Sequence, residues 1–154
     1  MYKVTNVFFS LDFDARGGRN SAHLSDLVET AKMYTDVILI VGNNDIGSQT
    51  DWQTVQNFRT FVASVKPVRV RICGFLPRRD HEKYFNPHLG RLENPATRIN
   101  RQLALNFPRE YQSPRGDFRE SDFGFGYYDL AHVNFFGKRH MCRFIHRQCR
   151  SIYS

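Results

Sequence analysis

Three stretches of the chain carry the apolar, β-branched pattern of strands. Residues 37–41 are five consecutive apolar residues, which is typical of a strand buried on both faces. Residues 4–13 mix apolar and β-prone side chains and predict an earlier strand. Residues 68–76 alternate apolar positions with two arginines, which predicts a strand with one solvated face or at a sheet edge. A short strand at 123–128 is a further hypothesis.

Four segments place their apolar residues at helical spacing. The first covers residues 21–34, with Asn20 or Ser21 as its N-cap. The second begins at Thr50 or Asp51 and ends before Pro67. Its predicted core stripe consists of Trp52, Val55, Phe58, Val62 and Val65. The remaining helices are predicted at 96–107 and 135–150, and the last of them should place Met141, Cys142, Ile145 and Cys149 on one face.

The strands alternate with helices along the chain, and this order predicts a single α/β domain over residues 1–154. In such a domain a parallel sheet carries helices on both faces. Residues 77–95 and 108–128 contain Pro and Gly at irregular spacing and are predicted to be long loops.

The net charge of +7 is unevenly distributed. Residues 1–60 carry −2, whereas residues 61–154 carry +9. A basic half can attract nucleic acid or another polyanion, although the arginines are scattered and also fit an ordinary soluble surface. Three cysteines without paired spacing indicate a reducing compartment. We find no membrane-spanning run and no signal-peptide pattern, so we expect a cytoplasmic or other intracellular protein without a membrane partner.

Polar residues follow the buried strand at the point where it ends. Gly42 can turn the chain without a Cβ, Asn44 carries an amide that can donate to an oxyanion, and Asp45 can support the loop by accepting backbone N–H bonds. An ordinary Asn/Asp turn is the alternative explanation.

Two further segments could contribute to a site. Gly17 and Gly18 precede the first helix, where free N–H groups can face an anion, although a plain strand-to-helix loop explains them equally well. Asp129 and His132 lie three residues apart before the last helix, so a carboxylate could orient an imidazole that acts as general base. A surface aspartate beside a core histidine is the alternative.

A zinc site from His140, Cys142, His146 and Cys149 is not expected. Cys142, His146 and Cys149 share one helix face, yet a single helix rarely supplies a closed zinc site. Cys73 lies within a strand pattern, where a buried thiol usually serves packing rather than nucleophilic chemistry. We therefore expect neither a metal nor an organic cofactor.

The order and context of these motifs resemble the SGNH (GDSL-type) esterase family. The matching blocks are Gly17-Gly18, Gly42-Asn43-Asn44-Asp45 and Asp129-x-x-His132, with Leu76-Pro77-Arg78 and Ile99-Asn100 similar to the family's middle region. The resemblance implies a flavodoxin-like three-layer α/β/α fold. It also implies oxyanion donors at Gly18 and Asn44, a base at His132 and its orienting carboxylate at Asp129.

One block of the family is not found. The strand ending in Gly-Asp-Ser, which supplies the nucleophile, should lie upstream of the glycine pair, and no Gly-Asp-Ser occurs there. Ser10 is the only nearby serine and lies within an apolar run, so the nucleophile is unknown. We therefore expect an N-terminally truncated domain without the family's first strand. The strands at 4–13 and 37–41 must then pair directly or leave a gap.

Two functions follow as hypotheses. The first is hydrolysis of a small carboxylic ester by a Ser-His-Asp mechanism, with activity doubtful because the serine is missing. The second is a non-catalytic module of the same fold that binds nucleic acid or another polyanion through its basic C-terminal half. The oligomeric state stays open, although an exposed central strand edge could promote pairing with another chain.

Overall fold

The computed structural model describes residues 2–4, 7–9, 12, 14, 18–114, 118–124 and 132–152. The strands in these ranges are β1 (Tyr2–Val4), β2 (Val7–Phe9), β3 (Asp36–Leu39), β4 (Arg69–Cys73), β5 (Tyr84–Asn86), β6 (Arg91–Glu93) and β7 (Tyr111–Gln112). The α-helices are α1 (Val28–Ala31), α2 (Asp51–Ser64), α3 (Pro95–Asn106) and α4 (Phe135–Ile152). Single 3₁₀ segments cover Ser21–Leu27 and Glu120–Asp122.

A parallel sheet in the order β3-β4-β7 forms the centre of the fold. Asp36 pairs with Arg69 and Leu39 with Ile72, which places the ends of β3 and β4 at the same edge. Because successive residues point to opposite faces, each strand contributes to two layers of packing. The predicted α/β class with a parallel sheet is confirmed.

One face of the sheet carries the main core. Val70 and Ile72 of β4 pack there with Phe58 and Phe61 of α2. The other buried members of this core are Leu24, Ala31, Leu39, Val55, Val65, Phe75, Ala96, Ile99, Leu103 and Phe107. The core therefore joins the sheet to the 3₁₀ segment and helices α1, α2 and α3.

The opposite face of the sheet is covered by α4. Ile38 packs near Cys149, and Cys73 belongs to the same cluster as Phe144. Arg71 donates to the side-chain oxygen of Gln148 at 2.9 Å. The alternation along β3 and β4 thus produces three layers, helices–sheet–helix.

The strand predictions at 4–13 and 68–76 need correction. The single strand predicted at 4–13 is wrong, because β1 and β2 form an antiparallel hairpin, with Tyr2 opposite Phe9. Among the described residues this hairpin pairs with no strand of the main sheet. The central position of β4 rules out the edge alternative for 68–76.

Both predicted long loops contain strands. β5 and β6 form an antiparallel hairpin within 77–95, and β7 lies within 108–128. The two residues of β7 are too few for any periodicity, and β6 lacks β-branched residues, so composition could not reveal either strand. At 123–128 the structure shows Phe123 bridged to Val133, and residues 125–128 lie outside the described part.

The helix predictions are close at three of four positions. The first helix is shorter than the predicted 21–34, since a 3₁₀ segment precedes a single α-turn that ends at Ala31. Asn20 caps it by accepting from the Ala22 N–H, as predicted, and Thr50 caps α2 by accepting from the Gln53 N–H. No helix within the described ranges combines the length and apolarity needed to cross a bilayer.

One core assignment is wrong. Trp52 is 70% exposed, because the buried face of α2 runs through Thr54, Val55, Phe58 and Phe61. On α4, Cys142 is exposed and Cys149 is buried, beside the buried Phe144 and Gln148. Each helical residue turns about 100°, so a small error in the facing direction moves a side chain into solvent.

Candidate active site

The loop after β3 is tied directly to the segment that contains Gly18. The Asn44 side-chain Nδ2 donates to the carbonyl of Arg19 at 3.0 Å. The Ser21 backbone N–H donates to Asp45 Oδ2 at 2.9 Å, and the Ser21 hydroxyl donates to Asp45 Oδ1. Gly18 itself has φ +71, in the left-handed region that favours glycine. The structure therefore brings Gly18 and Asn44, the two predicted oxyanion donors, into adjoining loops.

Asp45 is a buried carboxylate that holds several donors. Besides Ser21, Gln49 donates from Nε2 to Oδ1 at 2.8 Å, and the Thr54 hydroxyl lies 3.2 Å from the same oxygen. Burial raises the pKa of Asp45, while the hydrogen bonds from Ser21 and Thr54 act in the opposite direction. Asp45 thus accepts a backbone N–H from Ser21, as its predicted role in supporting the loop requires.

Gly42 is confined on two counts. Its φ is +116, which L-residues with a side chain rarely adopt, and an added Cβ would lie 2.3 Å from the Phe75 ring. The chain can therefore leave β3 and pass over Phe75 only with glycine at this position.

Two asparagine side chains extend the sheet beyond the end of β4. Asn43 donates to the Leu76 carbonyl at 2.6 Å and accepts from the Leu76 N–H at 3.1 Å. On the other side, Asn100 accepts from the Phe75 N–H at 2.6 Å and donates to the Phe75 carbonyl at 3.0 Å. Each amide thus makes the pair of bonds that a neighbouring strand would make.

A cleft of about 360 Å³ opens at this edge of the sheet. It is lined by Asn43, Asn44, Ile46, Gly47, Arg78, Asp80, His81, Glu82 and Pro95. Its walls come from the loop after β3 and the loop after β4. Ligands of open α/β sheets bind beyond the carboxyl ends of parallel strands, and the cleft lies in that position.

Arg78 links both walls of the cleft. One guanidinium nitrogen donates to Asn44 Oδ1 at 3.0 Å, and Nε donates to Asp80 Oδ1 at 2.8 Å. A second bond to Asp80 completes a forked ion pair, which holds the pKa of Asp80 below its usual range. The Arg78 side chain is 18% exposed, so its charge lies mostly within the cleft wall.

His81 is a second titratable group in the cleft. Burial lowers its pKa, and the charge of Arg78 lowers it further, against raising contributions from Asp80, Asn94 and Asn43. Within the described part of the chain, its buried Nδ1 has no hydrogen-bond partner. The lowered pKa favours the neutral imidazole, and its Nδ1 makes no hydrogen bond to a described residue.

The C-terminal pair of predicted catalytic residues is only half described. His132 is exposed, its backbone carbonyl accepts from the Gly124 N–H at 2.8 Å, and it is not among the residues that line the cleft. Asp129 lies outside the described residues. The pairing of Asp129 with His132 therefore stays a prediction.

A packing cluster nevertheless connects the His132 segment to the loop after β3. Val133, the next residue, packs against the cluster of Cys73, Leu76, Phe118, Phe123 and Phe144. Leu76 of this cluster is the residue whose backbone Asn43 holds. The segments carrying Asn44 and His132 are thus joined through one side-chain cluster and one pair of hydrogen bonds.

The cysteines show no arrangement for a metal. Cys73 and Cys149 are buried, and Cys142 is exposed. Among the described residues, no group of three His, Cys, Asp or Glu side chains is placed to hold a metal ion.

Arg78 was predicted only as part of a motif, and neither Asp80 nor His81 was predicted as a site residue. All three lie directly after β4, the strand next to β3. The parallel order of the two strands places their following residues at one edge, so the position of Arg78-Arg79-Asp80-His81 was the available signal.

Comparison with known proteins shows a likeness of fold. No family model matches the sequence, and no curated protein matches it. The chain is similar to the solved structure of a protein from Streptococcus pneumonia that is provisionally named a platelet activating factor. The TM-score is 0.56 at 14% identity, and the match covers 81% of this chain and 67% of that chain. At this identity the likeness is one of fold alone, and it agrees with the α/β architecture described above.

Proposed function

We propose that the cleft beyond β3 and β4 is an ester-hydrolase site of the SGNH type. The observation that carries the proposal is the placement of Asn44 at the cleft, tied to the Arg19 carbonyl beside Gly18. Two N–H donors from adjoining loops are the arrangement that an oxyanion hole needs. The fold likeness to the streptococcal protein supports a distant hydrolase-like fold.

The proposed roles follow from the chemistry of acyl transfer. A nucleophilic oxygen attacks the carbonyl carbon of a small ester, and the carbonyl oxygen gains negative charge. The Gly18 N–H and the Asn44 amide donate to that oxygen, while His132 takes the proton of the nucleophile and later gives it to the leaving alkoxide. Asp129 orients the imidazole.

The nucleophile is not assigned. Ser21 lies close to the predicted donors, but it is 1% exposed and its hydroxyl is bonded to Asp45. Ser10, considered from the sequence, lies outside the described residues. An activated water would fill the role.

Ester hydrolysis by the purified chain tests the proposal. We expect release of nitrophenol from a short-chain nitrophenyl ester above the uncatalysed rate. Removal of an oxyanion donor in Asn44→Ala should lower kcat by about 100-fold. His132→Ala should lower it at least as much, whereas the exposed His88, changed to Ala, serves as the matched histidine control. Equal rates in wild type and His132→Ala would contradict the catalytic role.

The α4 helix favours a second function, binding of nucleic acid or another polyanion. Arg139, Arg143, Arg147 and Arg150 recur at intervals of three or four residues and are all exposed. Residues at this spacing lie on one side of a helix, so the four guanidinium groups form a basic stripe. A stripe of this kind contacts phosphates without reading sequence.

Salt-dependent retention on heparin tests this alternative. We expect the quadruple Arg→Gln variant of the stripe to elute at markedly lower salt than wild type. A variant that neutralises four arginines elsewhere, Arg59, Arg79, Arg91 and Arg109, controls for net charge. Equal elution of the two variants would show that only total charge matters, and would remove the binding surface.

A further inference from the structure

We propose that Arg78 is the positioning residue that fixes the Asn44 side-chain amide for donation into the cleft. Its significance for catalysis rests on the proposed function, whereas the positioning itself stands on contacts in the cleft wall. Arg78 bonds Asn44 Oδ1 at 3.0 Å, and Asn44 Nδ2 bonds the Arg19 carbonyl at 3.0 Å.

The two partners of Asn44 permit only one orientation of its amide. A guanidinium can only donate, so the atom that faces Arg78 must be the oxygen. A carbonyl can only accept, so the atom that faces Arg19 must be the nitrogen. A flipped amide would place donor against donor at Arg78 and acceptor against acceptor at Arg19. The Asn44 side chain is therefore locked at both ends although it is exposed.

The lock leaves one N–H group for a ligand. The amide nitrogen carries two protons, and one of them is used by the Arg19 carbonyl. Within the described residues the second proton has no partner, and the side chain lines the cleft. The positive guanidinium of Arg78, which donates to the amide oxygen, draws electron density from the amide nitrogen and strengthens its second N–H as a donor.

Arg78 is itself held in place. Its Nε and a terminal nitrogen fork onto the carboxylate of Asp80, which fixes the plane of the guanidinium. The remaining terminal nitrogen then points to Asn44. Asp80 therefore fixes the guanidinium of Arg78, and Arg78 in turn fixes the orientation of the Asn44 amide in the cleft wall.

Hydrogen exchange of the Asn44 side-chain amide, followed by ¹⁵N NMR on the complete chain, tests the positioning without any substrate. In wild type we expect two separate proton signals, of which the one from the proton bonded to the Arg19 carbonyl exchanges slowly. Loss of one charge-assisted hydrogen bond in Arg78→Gln should accelerate exchange by about tenfold or more. Arg79→Gln removes the same charge from the exposed neighbouring side chain and should leave the signals unchanged.

Arg78→Lys separates geometry from charge, and it serves if Arg78→Gln does not fold. An ammonium can keep the ion pair with Asp80, but it lacks the planar fork that reaches two acceptors at once. We expect its Asn44 amide to exchange as fast as that of Arg78→Gln. If the Asn44 amide of either variant exchanged as slowly as that of wild type, the proposal would be overturned.

Ester hydrolysis by the same variants then tests the function separately. If the chain hydrolyses nitrophenyl esters, Arg78→Gln should lower kcat by roughly 10- to 100-fold with little change in KM. Because a lower folded fraction would also reduce the apparent kcat at constant KM, kcat is normalised to the folded fraction measured by circular dichroism. If wild type shows no hydrolysis but Arg78→Gln still frees the Asn44 amide, the positioning stands and the esterase proposal falls.

Discussion

Replacing Asp45 by asparagine removes a charge from the centre of the site with almost no change in shape. Asp45 is 2% exposed and accepts from the Ser21 N–H on one oxygen and from Gln49 on the other. The Ser21 N–H can only donate, and Gln49 presents its NH₂ group because its Oε1 accepts from Asn57 at 2.7 Å. Whichever way an asparagine amide is turned, its NH₂ group must therefore face one of them.

The magnitude follows from that conflict. A buried donor without an acceptor costs about 1–3 kcal/mol, and the surviving bonds change from charge-assisted to neutral, which weakens them further. The opposing effect is relief of desolvation, since burial raises the pKa of Asp45 and so disfavours its charge. Because asparagine cannot supply the lost acceptor, we expect the conflict to dominate, at a net cost of about 2–4 kcal/mol.

Urea unfolding at neutral pH, followed by circular dichroism, measures this cost. For a domain of this size the expected loss corresponds to a fall in Tm of about 5–15 °C. Asp26→Asn is the matched control, because Asp26 pairs with Arg19 at the surface and should contribute less than about 1 kcal/mol. An Asp45→Asn protein as stable as wild type, or more stable, would show that desolvation outweighs the hydrogen bonds and would refute the reasoning.

Three further predictions concern stability. Gly42→Ala should cost about 3 kcal/mol or more, since it combines a forbidden φ with a collision against Phe75, whereas Gly90→Ala meets no atom within 4 Å and should cost about 1 kcal/mol; equal costs in thermal melts would contradict the collision. Asn100→Ala should cost about 2–4 kcal/mol by leaving the Phe75 N–H and carbonyl unpaired, and a Tm within about 1 °C of wild type would argue against that bridge. Hydrogen bonding from arginine lowers the pKa of Glu93 to about 2, so its stabilisation is complete above pH 4.5 and lost as pH falls toward 2; Glu93→Gln should flatten the pH dependence of urea unfolding in that window, and an unchanged acid limb would exclude the effect.

The layers of the fold could be predicted because both faces of β3 and β4 carry packed residues, against the main core on one side and α4 on the other. Val37 and Leu39 serve one layer and Ile38 the other, so residues 37–39 reflect two packed faces, whereas Ile40, which follows the strand, is 42% exposed. The arginine alternation in β4 misled for a related reason. Arg71 lies beneath α4 and bonds Gln148 there, and a sequence cannot distinguish such a half-buried pair from a solvated face.

The first segment was mispredicted because its apolar composition fits a hairpin as well as one strand. β1 and β2 are three residues each, shorter than any window in which a turn could be detected. Among the described residues β2 and β3 form no ladder, and the truncation of the domain stays a prediction.

The candidate site was predictable where function depends on a local motif. Gly42, Asn44 and Asp45 follow one another, so the end of a single buried strand revealed them. Asp80 and His81 reach the cleft only because β3 and β4, about 30 residues apart in the chain, end side by side. Strand pairing determines this position, and a local sequence pattern does not show it. The same holds for the bond between Arg78 and Asn44.

The two asparagines that flank Phe75 and Leu76 also affect how the protein meets other chains. A newly arriving strand could join β4 here only by displacing amides that already saturate both sides of its backbone. The two asparagine side chains therefore occupy the backbone groups to which an added strand would bond. This protects this end of the sheet from domain swapping and fibril formation.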